Sequence, residues 1–200
     1  MQEEGYIKFN AHWNPTLAFS NKKIAALNDW RKKLYELHFL GAYPDGIGYG
    51  NVSQRAAKET FFISGSKTGN LNTLTAEHYS KVIGFDISRN EIKCEGPIVA
   101  SSESMSHAVI YQELDWVNAV FHVHDYELWK AVLHKIPTTD VTAEYGTPEM
   151  AKEIIRKIRE SNVIETRVFA MAGHQEGLIA FGRTLDDAGK SLIELKEASK

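Results

Sequence analysis

The pattern His122-Val123-His124 lies at the end of a short, mostly apolar segment in the middle of the chain, residues 117–123. The length of the segment and its valines predict a buried β-strand. Side chains two residues apart on a strand point to the same face, so the two imidazole rings should lie side by side. Burying two adjacent imidazoles without partners is costly, and a shared metal ion would remove that cost. A hydrogen-bonded core pair, or a strand end that reaches solvent, would also explain the pattern.

Helical and strand patterns alternate on both sides of this segment. Helices are predicted from Ser20 or Asn21 to Phe39, briefly from Thr75, over 103–114, 126–134 and 148–160, and from Thr184 or Asp186 onward. Strands are predicted over 51–54, 60–63, 82–87, 91–93, 119–123, 167–172 and 178–181. This order favours an α/β or α+β class with a sheet covered by helices.

The chain shows no linker or repeat, so one domain is expected over residues 21–200. It is preceded by an irregular arm, residues 1–20, which is expected to pack through Trp13 and Phe19.

The composition of the chain excludes some classes of binding partner and indicates a cellular compartment. The net charge of −3 and the pI of about 6.2 give no electrostatic footprint for nucleic acid or for an anionic membrane. Cys94 is the only cysteine, so neither an intrachain disulfide nor a cysteine-rich zinc site is possible. No segment has the basic start and apolar run of a signal peptide, or the roughly 20 apolar residues of a membrane span. We therefore expect a cytoplasmic, soluble protein.

A catalytic zinc site takes three protein ligands and keeps one position open. His174, in Gly173-His174-Gln175-Glu176-Gly177, follows a second apolar strand in a turn where flanking glycines allow close backbone approach. A single histidine in a turn is more often just solvated. On the residues alone it is therefore only a candidate ligand.

Three segments rich in small hydrogen-bond donors are candidate anion sites. Ser101-Ser102-Glu103 precedes a predicted helix, where free amides and the helix dipole attract anions. A helix cap would explain one of its serines but leaves the other and the glutamate unexplained. The other two segments are Gly50-Asn51-Val52-Ser53 and residues 64–69, each of which would by itself indicate a turn. None has the spacing of a P-loop or of a serine nucleophile elbow.

Taken in order, the motifs resemble those of the class II aldolase/adducin family, and especially its sugar-phosphate aldolases. The resemblance runs from about Asn21 to the C-terminal helix. The motifs are Gly50-Asn51-Val52-Ser53-Gln54-Arg55, Ile63 to Thr68-Gly69, Ser101-Ser102-Glu103 with His107, His122-Val123-His124, and Gly173-His174 with Gly177-Leu178-Ile179-Ala180.

The resemblance implies a single α/β domain with a central, largely antiparallel sheet between helical layers, assembled as a homotetramer. It implies Zn²⁺, or another divalent ion such as Mn²⁺, Fe²⁺ or Co²⁺, held by His122, His124, His174 and, at rest, Glu103. Glu103 would also act as the general base. A sugar phosphate is the implied substrate, and its phosphate would be bound by Gly50, Asn51, Thr68, Gly69, Ser101 and Ser102.

The chain departs from the family pattern in three places. These aldolases carry a tyrosine that serves as general acid, and the aligned position here falls near Thr142, where there is no tyrosine. Tyr145 or Asp125 could take over its role as proton donor. Gln175 and Glu176 stand between His174 and the following strand, so Glu176 competes with His174 as third ligand. No aromatic residue follows Phe181, whereas some aldolases supply a tail tyrosine to a neighbouring subunit.

The leading hypothesis is a metal-dependent aldolase that cleaves or forms a carbon–carbon bond in a ketose phosphate through an enediolate. An epimerase or dehydratase on the same fold is the enzyme alternative. Glu103 favours the aldolase, because related epimerases carry aspartate there. The alternative from another class is a non-catalytic, adducin-like assembly module, although such members lack the histidine set.

Overall fold

The computed structural model of the chain describes residues 6–199. Its α-helices are α1 Asn21–Glu36, α2 Ser104–Glu113, α3 Tyr126–Val132, α4 Pro148–Glu160, α5 Val163–Thr166 and α6 Leu185–Ala198. Its strands are β1 Asn10–Pro15, β2 Gly41–Ala42, β3 Gly48–Tyr49, β4 Asn51–Ala57, β5 Thr60–Ser64, β6 Tyr79–Asp86, β7 Glu91–Gly96, β8 Ala119–His124, β9 Val168–Ala170 and β10 Gly177–Gly182. The short helix predicted from Thr75 is a single 3-10 turn, Ala76–His78.

Eight strands form one sheet in the order β1-β7-β6-β5-β4-β8-β10-β9, and β2 pairs with β3 separately. All neighbouring strands of the large sheet run antiparallel except β1 and β7, which are parallel. Apolar side chains of α2 and α4 pack on one face, and those of α1, α3 and α6 pack on the other. The predicted fold class, a single α/β domain with a largely antiparallel sheet between helical layers, is confirmed.

The predicted helix from residue 21 to 39 ends three residues early, at Glu36. His38 adopts a left-handed conformation with φ of 61°, which turns the chain after α1. Phe39 is then buried in the core, and its carbonyl accepts a hydrogen bond from the backbone N–H of His124 at 3.0 Å. The early end of α1 therefore ties this turn to the end of β8.

The prediction of irregular structure at the N-terminus is wrong for residues 10–15. They form β1, a parallel edge strand along β7, and the Trp13 indole N–H donates to the Gly96 carbonyl at 2.9 Å. Every side chain of β1 is exposed, so the strand has no alternating apolar pattern that the sequence could reveal. The predicted packing of Phe19 is present, edge-on against Phe62. Residues 1–5 of the predicted arm lie outside the described residues.

Among residues 6–199, every helix is too short or too polar to cross a lipid bilayer.

Candidate metal centre

Three buried histidines converge between β8 and the turn that precedes β10. His122 and His124 project from β8 toward the face covered by α2 and α4, and His174 reaches them from the turn. The Nε2 atom of His124 lies 3.1 Å from that of His122 and 3.0 Å from that of His174. The structure therefore brings together the three histidines that the sequence singles out.

The Nδ1 atoms of His122 and His124 face hydrogen-bond partners outside the cluster. The Nδ1 atom of His122 lies 3.3 Å from the carbonyl oxygen of Leu178, which can only accept, so Nδ1 carries the hydrogen. The hydroxyl of Tyr43 donates to Glu176, and its oxygen lies 2.9 Å from Nδ1 of His124. With its hydrogen on Nδ1, His122 turns an unprotonated Nε2 toward the centre of the cluster, and the ring of His124 points its own Nε2 at the same place.

This geometry fits a divalent metal ion. The Nε2 atoms of His122 and His124 lie 3.1 Å apart, so neutral rings with their hydrogens on Nδ1 would both direct a lone pair at a cation bound between them. Tetrahedral zinc with Zn–N bonds of about 2.0–2.1 Å places ligand nitrogens roughly 3.3 Å apart, close to the observed spacing. Burial, together with the neighbouring His124 and His174 rings, holds the pKa of His122 well below its ordinary value. The neutral form, which binds metals, therefore predominates.

Gly177, opposite His124 in the β8–β10 register, explains how three rings fit in this space. A Cβ atom at this position would lie 2.5 Å from Cδ2 of His174 and 3.2 Å from Cε1 of His122. Any larger residue would displace the rings. The glycine that the sequence shows three residues after His174 is thus needed to pack the cluster.

Glu103 is buried directly before the first turn of α2. The Ser106 hydroxyl donates to its Oε2 at 2.8 Å, which orients the carboxylate. The cluster of mutually close ligand atoms consists of the three histidines. The roles of Glu103 as resting ligand and as base therefore stay predictions.

Behind the site lies a buried polar network around His107. Its Nδ1 lies 2.6 Å from the Ser53 hydroxyl, which lies 2.8 Å from the hydroxyl of Tyr111. Burial lowers the pKa of His107 to about 3, so the ring is neutral. His107 belongs to the sequence motif, and the structure places it in the packing between α2 and the sheet.

Glu176 is the residue that the sequence offers as an alternative to His174 for the third ligand, and its side chain is hydrogen-bonded to another residue. Its Oε2 accepts the Tyr43 hydroxyl at 3.1 Å, and Tyr43 contacts His124 in turn. The structure places His174 inside the cluster of ligand atoms, whereas Glu176 is linked to the cluster through Tyr43, by two hydrogen bonds.

The three predicted phosphate loops are neighbours. The segment at Gly69 lies against the backbone of Gly48 and Tyr49, and Gly65 forms a β-bridge with Ala100, just before Ser101 and Ser102. Thr68 lines a cavity of about 630 Å³ that is bounded by Ile98, Val99 and the N-terminal Tyr6 and Ile7.

Two residues of the first loop lie close to the histidines. Gly50 has a φ of +75°, and a Cβ atom there would lie 3.1 Å from the His122 carbonyl oxygen. Asn51 pairs with His122 across β4 and β8. Its Oδ1 is buried, and no hydrogen-bond partner for it lies within residues 6–199. A buried acceptor without a partner is costly, so this amide is suited to binding a ligand.

The three candidate positions for a general acid differ sharply. Thr142 is exposed and bonds to Asp140. Asp125 caps α3 by accepting from Leu128 N–H, and it pairs with Lys196 at 2.8 Å. The Tyr145 ring is buried, and its centroid lies 4.5 Å from that of His174. Tyr145 is thus the one of these three that contacts the cluster.

Sequence reasoning missed three residues that support the site. Tyr43 bonds to His124, and Tyr49 stacks on the same ring with centroids 5.3 Å apart. Arg31 of α1 is buried and donates to the carbonyls of Thr68 and Gly69, which it holds in place. Tyr43 and Tyr49 lie in a glycine-rich segment without periodicity. The position of Arg31 on the apolar face of α1 was the only available signal.

Comparisons with known proteins agree with the fold. A family model described as class II aldolase and adducin N-terminal domain matches residues 45–200. No curated protein sequence matches the chain.

Similar solved structures include two L-fuculose-1-phosphate aldolases. One, from Thermus thermophilus, is 22% identical, with a TM-score of 0.66 over 90% of this chain and 92% of that one. The other is 20% identical, with a TM-score of 0.69 over 91% and 85%. A sugar-phosphate aldolase from Thermotoga maritima is 14% identical, with a TM-score of 0.67 over 90% and 92%. At these identities the likeness shows a shared fold.

Proposed function

We propose that this chain, which belongs to the class II aldolase and adducin family, is a metal-dependent lyase that cleaves or forms a carbon–carbon bond in a ketose phosphate. The observation that carries the proposal is the buried cluster of His122, His124 and His174, in which the Nε2 atom of His124 lies 3.1 and 3.0 Å from those of the other two rings. Three imidazoles suit zinc, and they also accept manganese, iron or cobalt.

The three histidines would hold the ion and leave a position for substrate. A bound divalent cation supplies Lewis-acid polarisation of a carbonyl or hydroxyl oxygen. The chain contributes a dry, rigid setting, because all three rings are at most 2% exposed.

Glu103 is proposed as the base that takes the proton of the substrate, and as a ligand of the ion when substrate is absent. The hydrogen bond from Ser106 keeps one carboxylate oxygen oriented. Burial of the carboxylate at 2% exposure excludes the water that would compete for the same proton.

The loops at Gly50-Asn51, Thr68-Gly69 and Ser101-Ser102 are proposed to bind the phosphate. Their proximity supports this role. The buried Asn51 Oδ1 only accepts hydrogen bonds, so it suits a hydroxyl of the sugar rather than the phosphate. Phosphate binding would position the sugar over the histidines rather than take part in the chemistry.

Tyr145 is proposed as the proton donor in place of the tyrosine missing near Thr142, because its ring contacts His174. Tyr145→Phe is then expected to lower kcat on the order of 10²-fold or more, while metal affinity stays unchanged. Tyr79→Phe is the matched control, because it also removes a tyrosine hydroxyl, one that donates to Asn28 rather than lying beside the histidines. A Tyr145→Phe enzyme with undiminished kcat would remove this residue from the mechanism.

The experiment that tests the reaction is incubation of the metal-loaded protein with a panel of ketose phosphates, followed by NMR. Cleavage, epimerisation and dehydration give different products, so one spectrum distinguishes the lyase from its enzyme alternatives. Exposed Thr142 in place of a phenol is the observation that favours an epimerase or dehydratase. A protein that binds metal tightly, yet transforms no compound of the panel, would be an adducin-like module instead.

A homotetramer is also proposed, from the family resemblance. Light scattering coupled to size-exclusion chromatography should then give a mass near four times 22.5 kDa. A mass of a single chain at micromolar concentration would contradict it.

A further inference from the structure

We propose that Tyr43 and Glu176 form a hydrogen-bonded pair that fixes the His124 ring in the tautomer that presents Nε2 to a metal ion. The inference rests on the proposed metal site. It assigns a positioning function to two residues outside the cluster of ligand atoms. Sequence patterns indicated no role for Tyr43, and for Glu176 only a disputed role as a ligand.

The count of protons sets the direction of each hydrogen bond. The Tyr43 hydroxyl has one hydrogen, and it lies 3.1 Å from the carboxylate Oε2 of Glu176, which accepts only. The same oxygen lies 2.9 Å from Nδ1 of His124. Because the hydroxyl hydrogen goes to Glu176, the second bond must run from Nδ1–H of His124 to the Tyr43 oxygen. Nε2 then keeps its lone pair.

The backbone holds both members of the pair in place. Tyr43 closes a turn, with its N–H donating to Ile47 and its carbonyl accepting from Gly46. Glu176 has a φ of 70°, a left-handed conformation that is costly for a residue other than glycine. Its carbonyl accepts from the N–H of Asp125 at 3.1 Å, which fastens it to the end of β8.

Aromatic packing restricts the Tyr43 ring further. Tyr43 and Tyr49 lie with ring centroids 4.8 Å apart, and Tyr49 stacks on His124. The His124 ring is therefore held by Tyr49 on one face and by the Tyr43 hydroxyl at its edge. Outer hydrogen bonds of this kind fix the tautomer and orientation of metal-binding histidines in general.

Removing each member has a different consequence. In Tyr43→Phe the ring remains, but Nδ1 of His124 loses its acceptor. In Glu176→Ala the Tyr43 hydroxyl loses its acceptor and can instead donate to Nδ1. That bond favours the hydrogen on Nε2, where it competes with the metal. Adding Tyr43→Phe to Glu176→Ala removes the misdirected hydroxyl, so the second change should do no additional harm.

The affinity for Co²⁺ tests these expected effects of the single and double variants. The proteins compared are the wild type, both single variants and the double variant. For each, the dissociation constant of Co²⁺ is measured by competition with a chelating indicator, and the absorption bands of the bound cobalt are recorded. Each single variant is expected to bind about 10–100-fold more weakly, with shifted bands. The double variant should bind no more weakly than Glu176→Ala. Tyr79→Phe, which also loses a buried phenol hydrogen bond, controls for stability and should bind as the wild type does.

The outcomes separate this inference from the proposed function. Wild-type affinity in both single variants, or losses that multiply in the double variant, would overturn the pairing and leave the metal site standing. A wild-type protein that binds no Co²⁺ would overturn both.

A second measurement uses the metal-free wild-type protein, so it does not depend on whether a variant folds. Long-range ¹H–¹⁵N NMR of the metal-free wild type reports which nitrogen of each histidine ring carries the hydrogen. We expect His124 to be protonated at Nδ1. Protonation at Nε2 instead would overturn the proposal.

Discussion

At the scale of single residues, the space around Gly177 limits what the site tolerates. Gly177→Ala places a methyl group 2.5 Å from the His174 ring and 3.2 Å from that of His122. We expect the free energy of unfolding to fall by about 1–3 kcal/mol, as in other overpacked cores, and metal affinity to fall with it. Urea unfolding and Co²⁺ titration measure the two effects.

The matched control for that change is Gly84→Ala in β6. There the nearest atoms to an added Cβ belong to the Lys93 side chain at 3.8 Å, which is ordinary contact. The free energy of unfolding should change by less than about 1 kcal/mol, because the added methyl also lowers the entropy of the unfolded chain. Equal losses in the two variants would mean that the histidine rings do not cause the effect.

His107 gives the protein a defined sensitivity to acid. Burial lowers the pKa of His107 from 6.5 to about 3. Between these two pH values the imidazole binds a proton in the unfolded chain but not in the folded chain. The free energy of unfolding therefore falls by about 1.4 kcal/mol per pH unit from this residue alone as pH drops toward 3, and it is unaffected above pH 6.5.

His107→Asn tests this contribution, because the asparagine amide can replace Nδ1 as partner of Ser53 without titrating. Between about pH 7.5 and 5.0, in the presence of a metal chelator, the variant should lose about 2 kcal/mol less than the wild type. Urea unfolding at both values measures the difference. An identical loss in both proteins would assign the acid sensitivity to other groups.

At the scale of secondary-structure elements, the helices differ in how their first turns are capped. Thr184 forms a capping box with Asp187 at the start of α6, whereas Ser20 makes no side-chain cap bond at the start of α1. Thr184→Ala should therefore cost about 1 kcal/mol in the free energy of unfolding, and Ser20→Ala only a few tenths. Denaturant midpoints of the two variants compare them directly. A larger loss in Ser20→Ala would contradict the capping geometry.

At the scale of the whole molecule, metal binding and folding should be linked. The three histidines proposed as ligands come from β8 and from a turn 50 residues away, so they meet only in the folded chain. Zn²⁺ at a hundredfold excess over its dissociation constant should raise the free energy of unfolding by about 2.7 kcal/mol. In His122→Ala the increase should vanish. Urea unfolding with Zn²⁺ and with chelator tests this, and an undiminished increase in the variant would place the ion elsewhere.

The sequence by itself determined the features that depend on local periodicity. The strand spacing of His122 and His124 placed both rings on one face, and helical spacing located α4 at residues 148–160, as observed. The family motifs located the glycine-rich loops and the fold class, because each motif is a short segment with its own backbone requirements.

Only the tertiary structure decided which distant groups meet. β1 is held by backbone hydrogen bonds to β7 and has no buried side chain, so nothing in its sequence marked it as a strand. Whether His174 or Glu176 lies beside His122 and His124 depended on the path of the turn before β10, and the partner of Glu176, Tyr43, lies 133 residues away. Local patterns record the face that a residue occupies, whereas contacts across the sheet depend on register and on turn geometry that no short pattern encodes.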